Sequence, residues 1–269
     1  MNSVRRAYPV GRRNVLLKHP AYRLVLGVVA SAMSAVLAGA CSGAIGGEPV
    51  KPDPTSSADI GSIEEVLPDE SQMSEVLGSP MRNEYLRPPG SLNTLPSGIG
   101  DASPAECVGV RAAAMRQSYE DAPVHAASES TWKTSTDYTP FPSPDFRVTL
   151  GVIELDTPNS AHRQYSSLVS RWSQCRGRII VQHNMGGSGG TFTNEITRVI
   201  DAEGMLTSVV MESAWGDRAA PNQRALTAAS RYLIDVSVTD TAWHTDGSVE
   251  PVNAVAVARL VSDKINSTA

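Results

Sequence analysis

Between Phe146 and Val238 the chain runs through one strand, one long amphipathic helix and then a series of strand-like runs joined by short turns. That order limits the fold more than any other feature of the sequence. The helix has Thr157 as N-cap and Pro158 in its first position, and Gly177 ends it. Ala161, Tyr165, Leu168, Trp172 and Cys175 recur at spacings of four and three, which makes one apolar stripe. "FRVTLGVIEL", 146–155, is β-branched and apolar on both faces in its second half, as in a strand covered on both sides. "RIIVQH", 178–183, is the next strand. "TFTNEITRVI" and "MLTSVVMES" flank the turn "DAEG", and "QRALTAA" and "RYLIDVSV" form a second hairpin. A last helix covers 251–265, with Pro251 at its start and Val257, Leu260, Val261 and Ile265 on one face. Consecutive strands framed by helices predict an α+β fold, a mainly antiparallel sheet packed with helices.

Upstream, a helix is expected over 68–77, with Pro68 in its first position, Asp69 and Glu70 in its first turn and Gly78 as its stop. The prolines and glycines of 79–102 predict a loop. "SPAEC" then offers a capping box, Ser103 with Glu106, for a second helix running to about Gln117 and placing Cys107 in its first turn. Residues 119–146 hold turn formers and aromatics, with a strand around 130–134. No internal repeat is present.

Residues 1–40 carry Arg5, Arg6, Arg12, Arg13, Lys18 and Arg23 with no acidic side chain, followed by the uncharged "LVLGVVASAMSAVLAGA" ending at Cys41. A basic region, an apolar region and small residues before a cut describe a secretory signal. "LAGAC" resembles a lipobox with Ala38 where a branched residue is usual. It implies that Cys41 receives a thioether-linked diacylglycerol and becomes the mature N-terminus. An uncleaved transmembrane anchor is the alternative, although the stretch is shorter than the ~20 residues that cross a bilayer. "RRNVLLK", 12–18, also resembles a twin-arginine export signal, set behind ordinary secretion. Either way the body is expected outside the cytoplasm, and in the lipoprotein reading its acyl chains hold it to the cell membrane. Residues 41–59, rich in Gly, Pro and Ser, are expected to be a flexible tether, and 60–269 the folded domain.

Without residues 1–40 the chain has 17 basic against 28 acidic side chains. Such an acidic body argues against nucleic acid as a partner, because phosphate binding needs clustered Lys and Arg. With Cys41 lipidated, Cys107 and Cys175 are the only cysteines left to pair. An exported chain meets conditions in which that disulfide persists.

"MGGSGGTFT", 185–193, can be read as the G-x-S-x-G of a nucleophile elbow centred on Ser188. Asp217 or Asp235 with His244 would complete a triad in the required order. An elbow needs a helix after the serine, however, and "TFTNEITRVI" reads as a strand. Four glycines in five residues also support a catalyst poorly. The serine hydrolase is therefore the third reading, behind ligand binding and envelope protein–protein interaction. Neither a Gly-Lys-Ser/Thr nor a following helix makes the loop a phosphate cradle. Gly187 and Ser188 are retained as a candidate lip of a binding cleft. Trp132, Tyr138, Phe141 and Trp243, outside the regular helices, are candidates for its lining. Their alternative role is packing in small core clusters. His125, His162, His183 and His244 lack the i, i+4 spacing of a helical metal site, so no metal and no cofactor are expected.

"PDESQMSEVLG", "ECVGV" at 106–110, "RWSQCRG" at 171–177 and "NQRALTAASRYLIDVSV" at 222–238 together resemble the PknH-like extracellular sensor domain family over roughly 60–267. The resemblance implies a sheet packed with helices around a broad cleft that binds an extracellular ligand, without enzymatic activity. The family occurs outside a Ser/Thr kinase and on lipoproteins. With no kinase in these 269 residues, the expectation is binding alone. The family pattern also implies a second disulfide, whose two positions correspond here to Asn222 and a residue near Thr239. The retained pair, Cys107 and Cys175, would pin the start of the second helix to the end of the third.

Overall fold

Alternation of side chains along the central strands sets the architecture. In β3 (Phe146–Leu155), Val148, Leu150 and Val152 face one side, while Ile153 and Leu155 face the other. β8 (Tyr232–Asp240) repeats this, with Ile234, Val236 and Val238 on the first side and Leu233 on the second. A strand apolar on both faces must be covered on both, and both cores are present. The computed structural model describes residues 62–135, 145–183, 190–214, 219–240 and 252–268.

All eight strands form one antiparallel sheet in the order β1-β2-β3-β8-β7-β6-β5-β4. The remaining strands are β1 (Met81–Gly90), β2 (Val124–Thr134), β4 (Ile179–His183), β5 (Thr191–Ala202), β6 (Met205–Ala214) and β7 (Ala220–Ala229). One face is covered by α1 (Ile63–Val66), α2 (Glu70–Leu77) and α5 (Val252–Thr268). The other carries the 3-10 turn Ala105–Cys107, α3 (Val108–Arg111) and α4 (Pro158–Gln174). The α+β expectation, both hairpins, α4 with its Thr157 cap and the closing helix are all present. Gly204, at φ 72°, makes the first hairpin turn that a side chain would strain.

Four expectations are corrected. Residues 79–102 are not simply a loop, because β1 occupies Met81–Gly90. It is an edge strand, where Pro88 and Pro89 lack N–H groups that no neighbour needs. The second helix does not run from 103 to 117. Ser103 instead pairs with Val181 beside β4, Glu106 pairs with Arg178 rather than closing a capping box, and the α-helix is confined to Val108–Arg111, with only a 3-10 turn at Arg116–Ser118 beyond it. From Ala112 the backbone crosses the sheet and is held by contacts to it. The helix expected over 68–77 is α2 and begins at Glu70, with Asp69 and Gln72 forming the capping box. β2 is also longer than the 130–134 expected.

Both outer edges of the sheet are occupied. On β1, Met81 N–H donates to Ser74 Oγ and Asn83 N–H to a Glu70 carboxylate oxygen. On β4, Ser103 and Val181 exchange backbone bonds of 2.8 Å, and His183 N–H donates to Asp101. The Cys107–Cys175 disulfide joins the end of the 3-10 turn to the C-cap of α4, the outcome expected of that pair except that the helix at Cys107 is short. Among the described residues no helix is long and apolar enough to cross a membrane.

Candidate functional cleft

Two inward-facing charges on buried central strands organise the site. Arg224 on β7 is wholly buried, and Asp235 on β8 nearly so. Arg224 Nη2 donates to Asp235 Oδ1 at 2.7 Å, and its other donors reach the carbonyls of Gly109, Val110 and Val236. Asp235 Oδ2 accepts from Ala114 N–H at 2.8 Å and from Tyr119 O–H at 2.7 Å. Residues 109–119 are thus moored to the sheet by a polar network. Ala114, at φ 56°, adopts a left-handed conformation within it. Burial, followed by the neighbouring Asp235, pushes the Tyr119 hydroxyl well above its ordinary value, so it remains a donor. Burial also lowers the Arg224 value, an effect that Asp235 opposes.

Between this moored segment and the sheet lies a cavity of about 240 Å³. Its floor crosses five strands through Glu129 on β2, Thr149 on β3, Ser237 and Thr239 on β8, Asn222 on β7 and Glu212 on β6. Ile99, Ala112 and Met115 supply an apolar wall. Arg111 is 3.1 Å from Glu212 Oε1. Asn222 Nδ2 donates to Glu212 and to the Arg111 carbonyl, and Ser237 O–H donates to Asn222 Oδ1 at 2.7 Å. Glu129 accepts from Arg87 Nε at 2.7 Å. Desolvation raises the Glu129 value, with Arg87 acting against it. The Thr149 and Thr239 hydroxyls have no partner among the described residues. The cleft therefore offers hydroxyls, an amide and paired charges beside a small apolar wall, which can fix the orientation of a small polar molecule.

Of the candidates read from the sequence, Trp132 lies on the opposite face, packed with the α1–α2–α5 core, and its N–H donates to Ser130 Oγ. Tyr138, Phe141, Trp243, Gly187, Ser188 and Cys41 lie outside the described residues, as do Asp217 and His244. Asp235 has both oxygens committed within the network, which leaves it unable to orient a histidine. Among the described residues no group of three His, Cys, Asp or Glu side chains could hold a metal. Asn222, one position implied for a second disulfide, stands directly opposite Thr239, near which the other was implied, across β7 and β8, and both line the cleft. Arg111, Glu129, Thr149, Glu212 and Ser237 were not singled out in the sequence. The available signal was polar residues at inward positions of covered strands, most plainly Arg224 and Asp235.

A family model described as the PknH-like extracellular domain matches residues 59–263. The crystal structure of the extracellular domain of PknH from Mycobacterium tuberculosis matches with 17% identity and a TM-score of 0.61. That match covers 76% of this chain and 94% of that one, and it shows a shared fold. A putative uncharacterized protein from Mycobacterium smegmatis matches at 10% identity with a TM-score of 0.37, covering 79% of this chain and 99% of that one. No curated protein matches the chain.

Proposed function

This chain belongs to the PknH-like extracellular domain family, and from that premise we propose that it is a lipid-anchored binding protein that holds a small polar ligand in the cleft and catalyses nothing. Its folded body is an extracytoplasmic, sensor-like domain. The observation that carries the reading is the cleft itself, with polar side chains from five adjacent strands converging under a segment fixed by the Arg224–Asp235 network. A floor built on strands is rigid, and rigid floors hold binding groups in place at little entropic cost. Lipidation of Cys41 would keep the domain at the outer membrane face, and more than one acyl chain makes such attachment stable.

Native mass spectrometry of the protein purified from its own envelope tests the proposal, alongside Thr239→Trp, which fills the cleft from its floor. A small-molecule adduct on the unsubstituted protein that is lost in the variant is expected. The denaturation midpoint of the variant serves as the check on its fold. Absence of any adduct, or an adduct retained equally by the variant, overturns the assignment. The same spectra report the mass of residue 41 and so whether it is acylated.

A further inference from the structure

A second cavity, of about 210 Å³, lies on the other side of the 105–118 segment and shares no lining residue with the cleft. It sits between that segment and α4. Two of its lining side chains carry buried donors without acceptors, Nε of Arg171 and Nε1 of Trp172. Trp172 as a whole is only 2% exposed. Buried donors without partners are uncommon in native proteins, and each costs about 1–3 kcal/mol. Both side chains line this one cavity, which makes it the place where an acceptor would come within reach of them.

The charge balance says which kind. Arg171 makes one hydrogen bond, from Nη2 to the Ser118 carbonyl at 3.1 Å, and no ion pair among the described residues. Glu106, on the same cavity, is engaged instead with Arg178 at 2.9 Å. An adjoining smaller cavity shares Glu106 and Arg171 and adds Arg178, so the mouth holds two cations against one carboxylate. The Trp172 ring is held in place by the Arg224 guanidinium, 5.1 Å from its centroid, which fixes the direction of its N–H. Ala105, Gly109 and Leu168 give the cavity an apolar side, while Gln117 and Ser118 add to its polar side. A hydrated inorganic anion gains nothing from the apolar side, whereas an organic one does.

We propose that this cavity is a second binding site, specific for a small organic carboxylate whose oxygens take hydrogen bonds from Arg171 and from the Trp172 N–H, and whose short apolar body packs between Leu168 and Ala105. Arginine suits this role because its planar fork matches a carboxylate. Both donor atoms are shielded from solvent, so binding requires Arg171 to turn about its long, partly exposed side chain, a motion of nanoseconds.

The chain has four tryptophans, so indole ¹⁵N–¹H resonances of ¹⁵N-tryptophan-labelled full chain in detergent give a direct readout, with Trp172 assigned from W172F. Titration with butyrate is expected to move the Trp172 signal saturably, while neutral butyramide and inorganic phosphate leave it nearly in place. Arg171→Gln is expected to weaken butyrate at least tenfold, Arg171→Lys less, and Glu106→Gln to tighten it. A parallel denaturation midpoint shows that each variant is folded, and R171K carries the comparison if R171Q is not. A Trp172 signal that ignores butyrate, that follows butyramide or phosphate equally, or that keeps its affinity in both Arg171 variants overturns the proposal.

Discussion

Replacing Arg224 with methionine tests whether the cleft wall is held by the polar network. The side chain is wholly buried and donates four hydrogen bonds, to Gly109, Val110 and Val236 carbonyls and to Asp235. Methionine keeps the bulk but donates nothing. Three buried carbonyls lose a donor, and Asp235 keeps only Ala114 N–H and Tyr119 O–H against its full charge. Removing one partner of a buried pair costs about 3–5 kcal/mol, mostly from stranding the other. The lost carbonyl bonds place this site in the upper part of that range, about 4–5 kcal/mol. In a domain of this size that is a fall of roughly 10–15 °C in Tm. Urea unfolding followed by tryptophan fluorescence measures it, with an unchanged slope certifying that the same unfolding is compared. Arg224→Lys should fall between, because it keeps the charge but cannot serve four acceptors. A loss below about 1 kcal/mol at unchanged slope would refute the reasoning. The charges would then be solvated, and segment 109–119 would be held by something else.

Two further outcomes follow from the same structure. Cys107→Ala with Cys175→Ala opens a link between residues 68 apart in sequence, and chain entropy assigns that about 4 kcal/mol, checked by the same urea titration with and without the substitutions. For Glu129 the folded-state value is raised by desolvation. The native state therefore binds more protons than the unfolded chain, and stability falls as pH rises from the ordinary glutamate value, ~4.3, through the raised one. Glu129→Gln should flatten that part of the stability–pH curve, and a curve that keeps its slope contradicts the assignment.

Local features carried most of the architecture. The α4 stripe, its Thr157 cap and the two hairpins rest on interactions within a few residues, and the sequence displays them directly. β1 was hidden because an edge strand tolerates polar residues and two prolines, which are the marks of a loop. Ser103 and Glu106 looked like a capping box, but both have partners more than 70 residues away, Val181 and Arg178. The cleft was harder still. Its floor takes one or two residues from each of five strands, so no short stretch announces it. Asn222 and Thr239 were visible only through the family pattern, as a place where two cysteines are missing together. Their direct opposition across β7 and β8 turns that gap into two cleft-lining side chains.

The occupied rims of the sheet bear on how such molecules behave when crowded. An open strand border is where one sheet extends into the next, and chains confined to a surface meet borders far more often than chains in dilute solution. Here α2 side chains take up amides at the start of β1, two prolines interrupt its far end, and residues 101–103 zip along β4. A neighbour lying alongside would find few backbone groups to grip at these two borders.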